Sequence, residues 1–130
     1  MVAEPRVWVD VEGAVRAWAR GALNIERVFF GPVSSSGSQI VLFRIAGPDD
    51  RCLIQFDVWA STKAGAAELA AELATAADAL SRYEHEGVLL HGATVLSSRW
   101  QPDFESDTPR YIVEAVFFAT STGDVDEHSS

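Results

Sequence analysis

The segment at residues 110–121 constrains the fold more than any other part of the sequence. Its side chains alternate with a period of two, which is typical of a β-strand. Both alternating sets are largely apolar: one is Tyr111, Val113, Ala115 and Phe117, and the other is Ile112, Glu114, Val116 and Phe118. A strand that is apolar on both faces either lies centrally under a helix or contributes to an interface.

Two segments have the apolar stripe of an amphipathic helix instead. Asp10 is a good N-cap for a helix over residues 10–22, whose stripe is Val11, Ala14, Val15, Trp18, Ala19, Ala22 and Leu23. Ser61 or Thr62 caps a second helix over residues 62–84, whose stripe is Ala66, Leu69, Ala70, Leu73, Ala76, Ala77, Leu80 and Tyr83. The many alanines of the second helix favour close packing on a sheet.

Strand patterns occupy most of the remaining chain, at residues 27–30, 39–46, 51–60, 89–100 and 110–121. The Gly-Pro-Asp-Asp cluster at residues 47–50 predicts a tight turn between two of them. We therefore predict an α+β fold of order α-β-β-β-α-β-β. A mostly antiparallel sheet of about four to five strands carries two helices on one face. The other face must then meet water or another subunit.

The length of 130 residues and the hydrophobic fraction of 48% fit one globular domain. We place this single domain at residues 1–121. Residues 122–130 are polar and acidic, and we expect them to be a disordered tail.

The net charge of −9 argues against tight binding of nucleic acid, since phosphate contacts need clustered basic residues. Lys63 is the one lysine of the sequence. No run approaches the roughly 18 apolar residues of a membrane span, and the N-terminus lacks the pattern of a secretory signal. We expect no membrane partner.

Motifs for catalysis and cofactors are missing from the sequence. The three histidines do not have metal-site spacing: they are His85, His91 and His128. The glycine- and serine-rich stretch at residues 31–38 lacks the lysine of a phosphate-binding loop. Acidic residues alternate at 103–107 without the glycine and final glutamate of a calcium loop. Cys52 lies in an apolar run and is expected to be buried. We predict a non-enzymatic protein without a cofactor.

The order of several motifs resembles the tail terminators of tailed bacteriophages and related neck proteins, particularly those of phages that infect actinobacteria. The strand Leu-Ile-Gln-Phe-Asp-Val-Trp-Ala-Ser (53–61) runs into the alanine-rich helix at residues 62–84. A Trp-Gln-Pro-Asp loop (100–103) precedes Thr-Pro-Arg-Tyr-Ile-Val-Glu-Ala-Val-Phe-Phe (108–118). The resemblance spans roughly residues 8–121, and its motifs are structural rather than catalytic.

This resemblance implies a virion protein at the junction of tail and head, assembled in the host cytoplasm. It implies a ring, expected to be a hexamer, that caps the tail tube, stops its polymerisation and contacts the head-completion connector. DNA would pass through the ring without specific binding.

The candidate residues follow from these expectations. Candidate subunit-interface residues are Arg110, Ile112, Val116 and Phe118, and an intrachain acidic partner for Arg110 is equally compatible with the sequence. Candidate lumen or tube-facing loop residues are Asp49, Asp50, Asp103 and Asp107, whose carboxylates repel phosphate within about a Debye length of 8–10 Å. Ordinary solvated turns would also explain these four acids.

Other classes of function remain open from the sequence. A different neck or head-completion protein has a similar size. A small-molecule-binding α+β domain would enclose a pocket, and its candidate lining residues are Phe29, Phe30, Phe43, Phe56 and Phe117. A monomeric adaptor or antitoxin-like binder would instead have one extended interaction patch.

Overall fold

The computed structural model of the chain describes residues 10–25, 28–30, 38–105 and 107–122. Its helices are α1 (Val11–Leu23) and α2 (Lys63–Ala79). The strands are β1 (Val28–Phe30), β2 (Gln39–Ala46), β3 (Arg51–Trp59), β4 (Tyr83–His85), β5 (Val88–Trp100) and β6 (Arg110–Ser121).

Within the described residues, the strands form one six-stranded sheet of order β1-β2-β3-β6-β5-β4. β1 and β2 are parallel, and every other neighbouring pair is antiparallel. β6 lies between β3 and β5, so the strand with two apolar faces is central in the sheet, which is one of the two alternatives that its pattern allowed. The α+β class and the mostly antiparallel sheet are confirmed as well.

Both described helices pack on the same face of this sheet, as predicted. The shared core is formed by α1 residues such as Val15 and Trp18, by Leu73 of α2, and by alternate residues of the strands. From β3 these strand residues are Cys52, Ile54, Phe56 and Val58, and from β6 they are Val113, Ala115, Phe117 and Ala119. The buried position of Cys52 confirms the expectation for this thiol, and burial raises its pKa.

The helix ends follow the capping residues. Asp10 Oδ1 accepts a hydrogen bond from the Gly13 amide at 2.9 Å, and Thr62 Oγ1 accepts one from the Gly65 amide at 2.9 Å. Thr62, rather than Ser61, is therefore the N-cap of α2. Neither helix of the described segments is long and apolar enough to cross a membrane.

The prediction of four to five strands was wrong, because part of the predicted second helix is a strand. α2 ends at Ala79, and β4 forms a hairpin with β5 through a two-residue turn. Both turn residues have positive φ, 48° at Glu86 and 84° at Gly87, as a type I′ hairpin requires. Leu80 and Tyr83 follow α2 in an extended segment, and their side chains still pack against the core. Their apolar spacing therefore matched that of a helix, although neither residue is helical.

Several predictions fall partly outside the described residues. They concern Arg27 of the first predicted strand, most of the glycine- and serine-rich stretch at residues 31–38, and the acidic tail. The observed first strand starts at Val28. Of the acidic tail, only Thr122 is described. Its amide donates to the Gly87 carbonyl at 2.7 Å and its hydroxyl donates to Glu84 at 3.1 Å, so the β4–β5 hairpin holds this residue.

Substitution of Gly87 by alanine tests the hairpin turn. We expect Gly87→Ala to destabilise the fold by about 1–2 kcal/mol, since a Cβ atom disfavours the left-handed conformation. Gly21→Ala is the matched control, because nothing lies within 4 Å of its added Cβ atom on the exposed side of α1. This control is expected to be neutral or stabilising by up to about 1 kcal/mol. Urea titration measures both, and equal changes would contradict the assigned turn.

Candidate functional site

The sheet face opposite the helices carries every candidate interface residue, and we name it the open face. Because strand side chains alternate, this face carries the residues whose side chains point away from the core. On β3 they are Arg51, Leu53, Gln55, Asp57 and Trp59, and on β6 they are Arg110, Ile112, Glu114, Val116, Phe118 and Thr120. Ser97 and Arg99 of β5 pair with Glu114 and Ile112 and lie on the same face.

The four candidate interface residues differ greatly in the surface that they expose. Phe118 is 37% exposed and Val116 is half-buried, whereas Ile112 is only 2% exposed. Ile112 is thus covered within the chain itself and offers almost no surface to a partner. The exposed apolar part of β6 lies at its C-terminal half.

The strand register surrounds that part with residues of β3. Leu53 pairs with Val116, and Arg51 pairs with Phe118. We name Leu53, Val116 and Phe118 the apolar patch. Leu53 and Arg51 were not among the candidate residues predicted from the sequence, although alternation along β3 indicates their face. Their position beside Phe118 depends on the pairing of β3 with β6, which no local pattern specifies.

The opposite half of the open face is polar, and Asp57 is at its centre. The Asp57 carboxylate accepts a hydrogen bond from Gln55 Nε2 at 2.9 Å and lies 3.5 Å from Arg110 Nη1. Burial raises the pKa of Asp57, although Gln55 and Arg110 both act to lower it. Because Asp57 is only 7% exposed, its charge depends on these two neighbours and on the more distant cation of Arg99.

Arg110 therefore has the intrachain acidic partner that the sequence left open. Its Nε atom also donates to the Gln101 carbonyl at 2.9 Å, and its guanidinium carbon lies 5.1 Å from the centre of the Trp59 ring. These contacts hold the side chain across the end of the β3–β6 pair. Any role of Arg110 in assembly would have to compete with them.

A second polar group connects β5 to β6 on the same face. Ser97 Oγ donates to the Glu114 carboxylate at 3.0 Å, and Arg99 Nη1 lies 3.5 Å from the same oxygen. Arg99 Nε donates to Gln101 Oε1 at 3.1 Å. The polar side chains of the open face thus bond to one another within the chain. The apolar patch is the part of this face whose exposed side chains would gain most from burial against a partner.

The four acidic loop residues do not come together within one subunit. Asp49 and Asp50 lie in the β2–β3 turn beside the C-terminal end of β6, whereas Asp103 and Asp107 lie in the β5–β6 loop beside its N-terminal end. β3 separates the two pairs by about 25–30 Å. The two acidic pairs could line the lumen of a ring together only if the strands run parallel to the axis of that ring.

These carboxylates also differ in their partners. Asp49 forms an ion pair with Arg44 at 2.8 Å. Asp103 accepts a hydrogen bond from the Glu105 amide at 3.1 Å, and its carbonyl accepts one from the Asp107 amide at 2.7 Å. Asp49 and Asp103 thus make contacts within the chain that stabilise the β2–β3 turn and the β5–β6 loop.

The aromatic side chains that were candidates to line a pocket lie in different parts of the structure. Phe56 and Phe117 are buried in the core with their ring centres 5.9 Å apart, and Phe30 is largely exposed. Phe56 and Phe117 are therefore core residues, whereas Phe30 lies at the surface. In the described residues, no group of three or more histidine, cysteine, aspartate or glutamate side chains is placed to hold a metal ion.

Comparison with known proteins relates this fold to a virion. No protein-family model matches the sequence, and no curated protein matches it. A chain from the virion of a native gene transfer agent particle has a similar structure, with a TM-score of 0.58 and 18% sequence identity. The similarity covers 85% of this chain and 97% of that chain. The chain therefore shares its fold, along nearly the whole length of that neighbour, with a component of a gene transfer agent virion.

Proposed function

We propose that the chain is a structural virion protein that forms a ring on the end of a phage-type tail tube. The ring stops tube polymerisation and joins the tail to the head-completion connector. The observation that carries this proposal is the structural similarity to a gene transfer agent virion chain, which extends over 97% of that chain. The tail-terminator role itself comes from the motif resemblance at residues 53–61, 62–84 and 108–118.

The open face supports a role in assembly. Apolar residues usually occupy the covered side of a sheet, yet Val116 and Phe118 are on the side without helices. A head-to-tail contact between identical subunits would bury them, and it generates a closed ring when the rotation between neighbouring subunits closes. The internally bonded polar half then lies beside the contact.

The charge supports the passage of DNA through such a ring. With 19 acidic and 10 basic residues, each subunit contributes a net charge of −9. A lumen of this sign repels the phosphate backbone at short range, which keeps DNA mobile. Asp49, Asp50, Asp103 and Asp107 are the loop residues that we propose to face the lumen or the tube.

The mass in solution tests this proposal. Light scattering of the concentrated protein should find a species of six 14.1-kDa subunits, about 85 kDa, and negative-stain images of the same sample should show rings. A stable dimer without rings would contradict it, because a closed two-fold contact leaves no surface for further subunits. Gold-labelled antibodies on intact virions would then separate a tail terminator from a neighbouring neck protein by the position of the label.

A further inference from the structure

The surface of the helical layer carries an open groove between the C-terminal end of α1 and the outer side of α2. Its volume is about 660 Å³. Five of its nine lining residues are apolar, and four of these are alanines, so a bulky side chain has room to enter: they are Ala22, Leu23, Ala71, Ala76 and Ala79.

The groove has acidic walls. Glu68 and Glu72 lie one turn apart on α2 and both line it, while no lysine or arginine does. Neither carboxylate forms an ion pair with another residue in the described part of the chain. An apolar floor with two uncompensated carboxylates suits an apolar side chain that has a cation next to it.

The apolar patch on the open face, together with its neighbour Arg51, has the complementary composition. Phe118 is its most exposed member, and Arg51 is its direct cross-strand neighbour. Arg51 is exposed and has no ion pair with any other residue that the structure describes. An aromatic ring and a free guanidinium thus stand side by side.

We propose that the apolar patch of one copy docks into the helical groove of the next copy. Phe118 enters between the alanines, and Arg51 faces Glu68 and Glu72. The groove is on the outer side of the helical layer and the patch is on the opposite side of the sheet, so the contact is head-to-tail. A repeated head-to-tail contact closes into a ring or continues as a filament. This inference rests on the proposed ring and names the two surfaces that build it.

Mixing two complementary variants tests the contact. Phe118→Asp replaces the central ring of the patch with a carboxylate and leaves the groove intact, whereas the double variant Glu68→Lys/Glu72→Lys reverses the groove charge and leaves the patch intact. We expect each variant alone to be a 14.1-kDa monomer, with self-association weakened by at least about 100-fold. Their equimolar mixture should form a dimer of about 28 kDa and nothing larger, since each chain has one working surface.

Matched substitutions exclude a general effect of charge or folding. Asp78→Lys makes the charge change of one groove substitution on an exposed part of α2 outside the groove, and Phe104→Asp changes an exposed aromatic residue outside the patch. Both controls should assemble like the wild-type chain. Adding Arg51→Glu to the groove variant should restore assembly, because both partners then have reversed charge.

Each alternative result overturns a definite part of this scheme. Rings that persist in the groove variant, or a mixture that stays monomeric, would refute the contact while the proposed ring stands. A wild-type chain that remains monomeric at about 1 mM would refute the contact, and one that forms only a closed dimer would refute both the contact and the ring.

Discussion

A Phe117→Ala variant is expected to lose about 3–5 kcal/mol of unfolding free energy, the largest loss that we predict for a single side chain. Phe117 is fully buried at the centre of the sheet. Its ring lies 5.4 Å from that of Trp18 on α1 and 5.9 Å from that of Phe56 on β3. Truncation removes the contact between sheet and helix and leaves a cavity beneath α1. For a small domain with about 5–15 kcal/mol of stability, this loss is a large fraction of the total.

The neighbouring residue provides the control. Phe118→Ala removes the same side chain from the opposite face of the same strand, where it is partly in water, and should cost the monomer in dilute solution less than about 1 kcal/mol. Urea denaturation followed by tryptophan fluorescence measures both, with a shifted midpoint at unchanged slope. Similar losses for the two variants would mean that the assigned faces of β6 are wrong.

Removal of Arg110 should produce the second large effect. We expect Arg110→Ala to destabilise the monomer by about 2–3 kcal/mol at neutral pH, since it leaves the buried Asp57 carboxylate without its cation. The loss is smaller than for a fully enclosed pair, because Gln55 keeps its hydrogen bond to the same carboxylate. The substitution also removes the contact with Trp59 and the bond to the Gln101 carbonyl.

The pH dependence separates the charge effect from lost packing. The pKa of Asp57 is raised by folding, so its protonated form is favoured in the native state. The stability linked to this proton is fully present below the ordinary aspartate pKa of about 3.9 and is lost as pH rises through the raised native pKa. The Arg110→Ala defect should therefore be small near pH 4 and should grow toward pH 7.

Neutralising both partners is the control for this interpretation. The double variant Asp57→Asn/Arg110→Met leaves no buried charge, so at pH 7 it should be more stable than Arg110→Ala. The loss of unfolding free energy in this double variant, relative to wild type, should not grow between pH 4 and pH 7. A defect of equal size at both pH values would show that Arg110 acts through packing alone.

Local patterns in the sequence determined several parts of this structure. The stripe from Val11 to Ala19 fixed α1, because a helix must bury one side against a core. Alternation fixed the two faces of β6, since successive strand side chains point in opposite directions. The same patterns predicted the α+β class, the burial of Cys52 and the position of the capping residue Asp10.

Tertiary structure decided what local patterns leave open. Leu80 and Tyr83 satisfy a helical stripe, yet the hairpin formed by the Glu86–Gly87 turn places them on an extended segment. The parallel pairing of β1 with β2 is equally invisible to periodicity, because alternation is identical in parallel and antiparallel strands.

For the candidate site as well, the sequence predicted some properties and only the tertiary structure showed others. From sequence alone, alternation placed Ile112, Val116 and Phe118 on one face of the last strand. Only the fold showed that Ile112 is covered, that Asp57 is the partner of Arg110, and that the two pairs of acidic loop residues lie at opposite ends of the sheet. Side-chain direction is a property of the local backbone, whereas burial, ion pairing and the distance between loops depend on which strands pair and in which register.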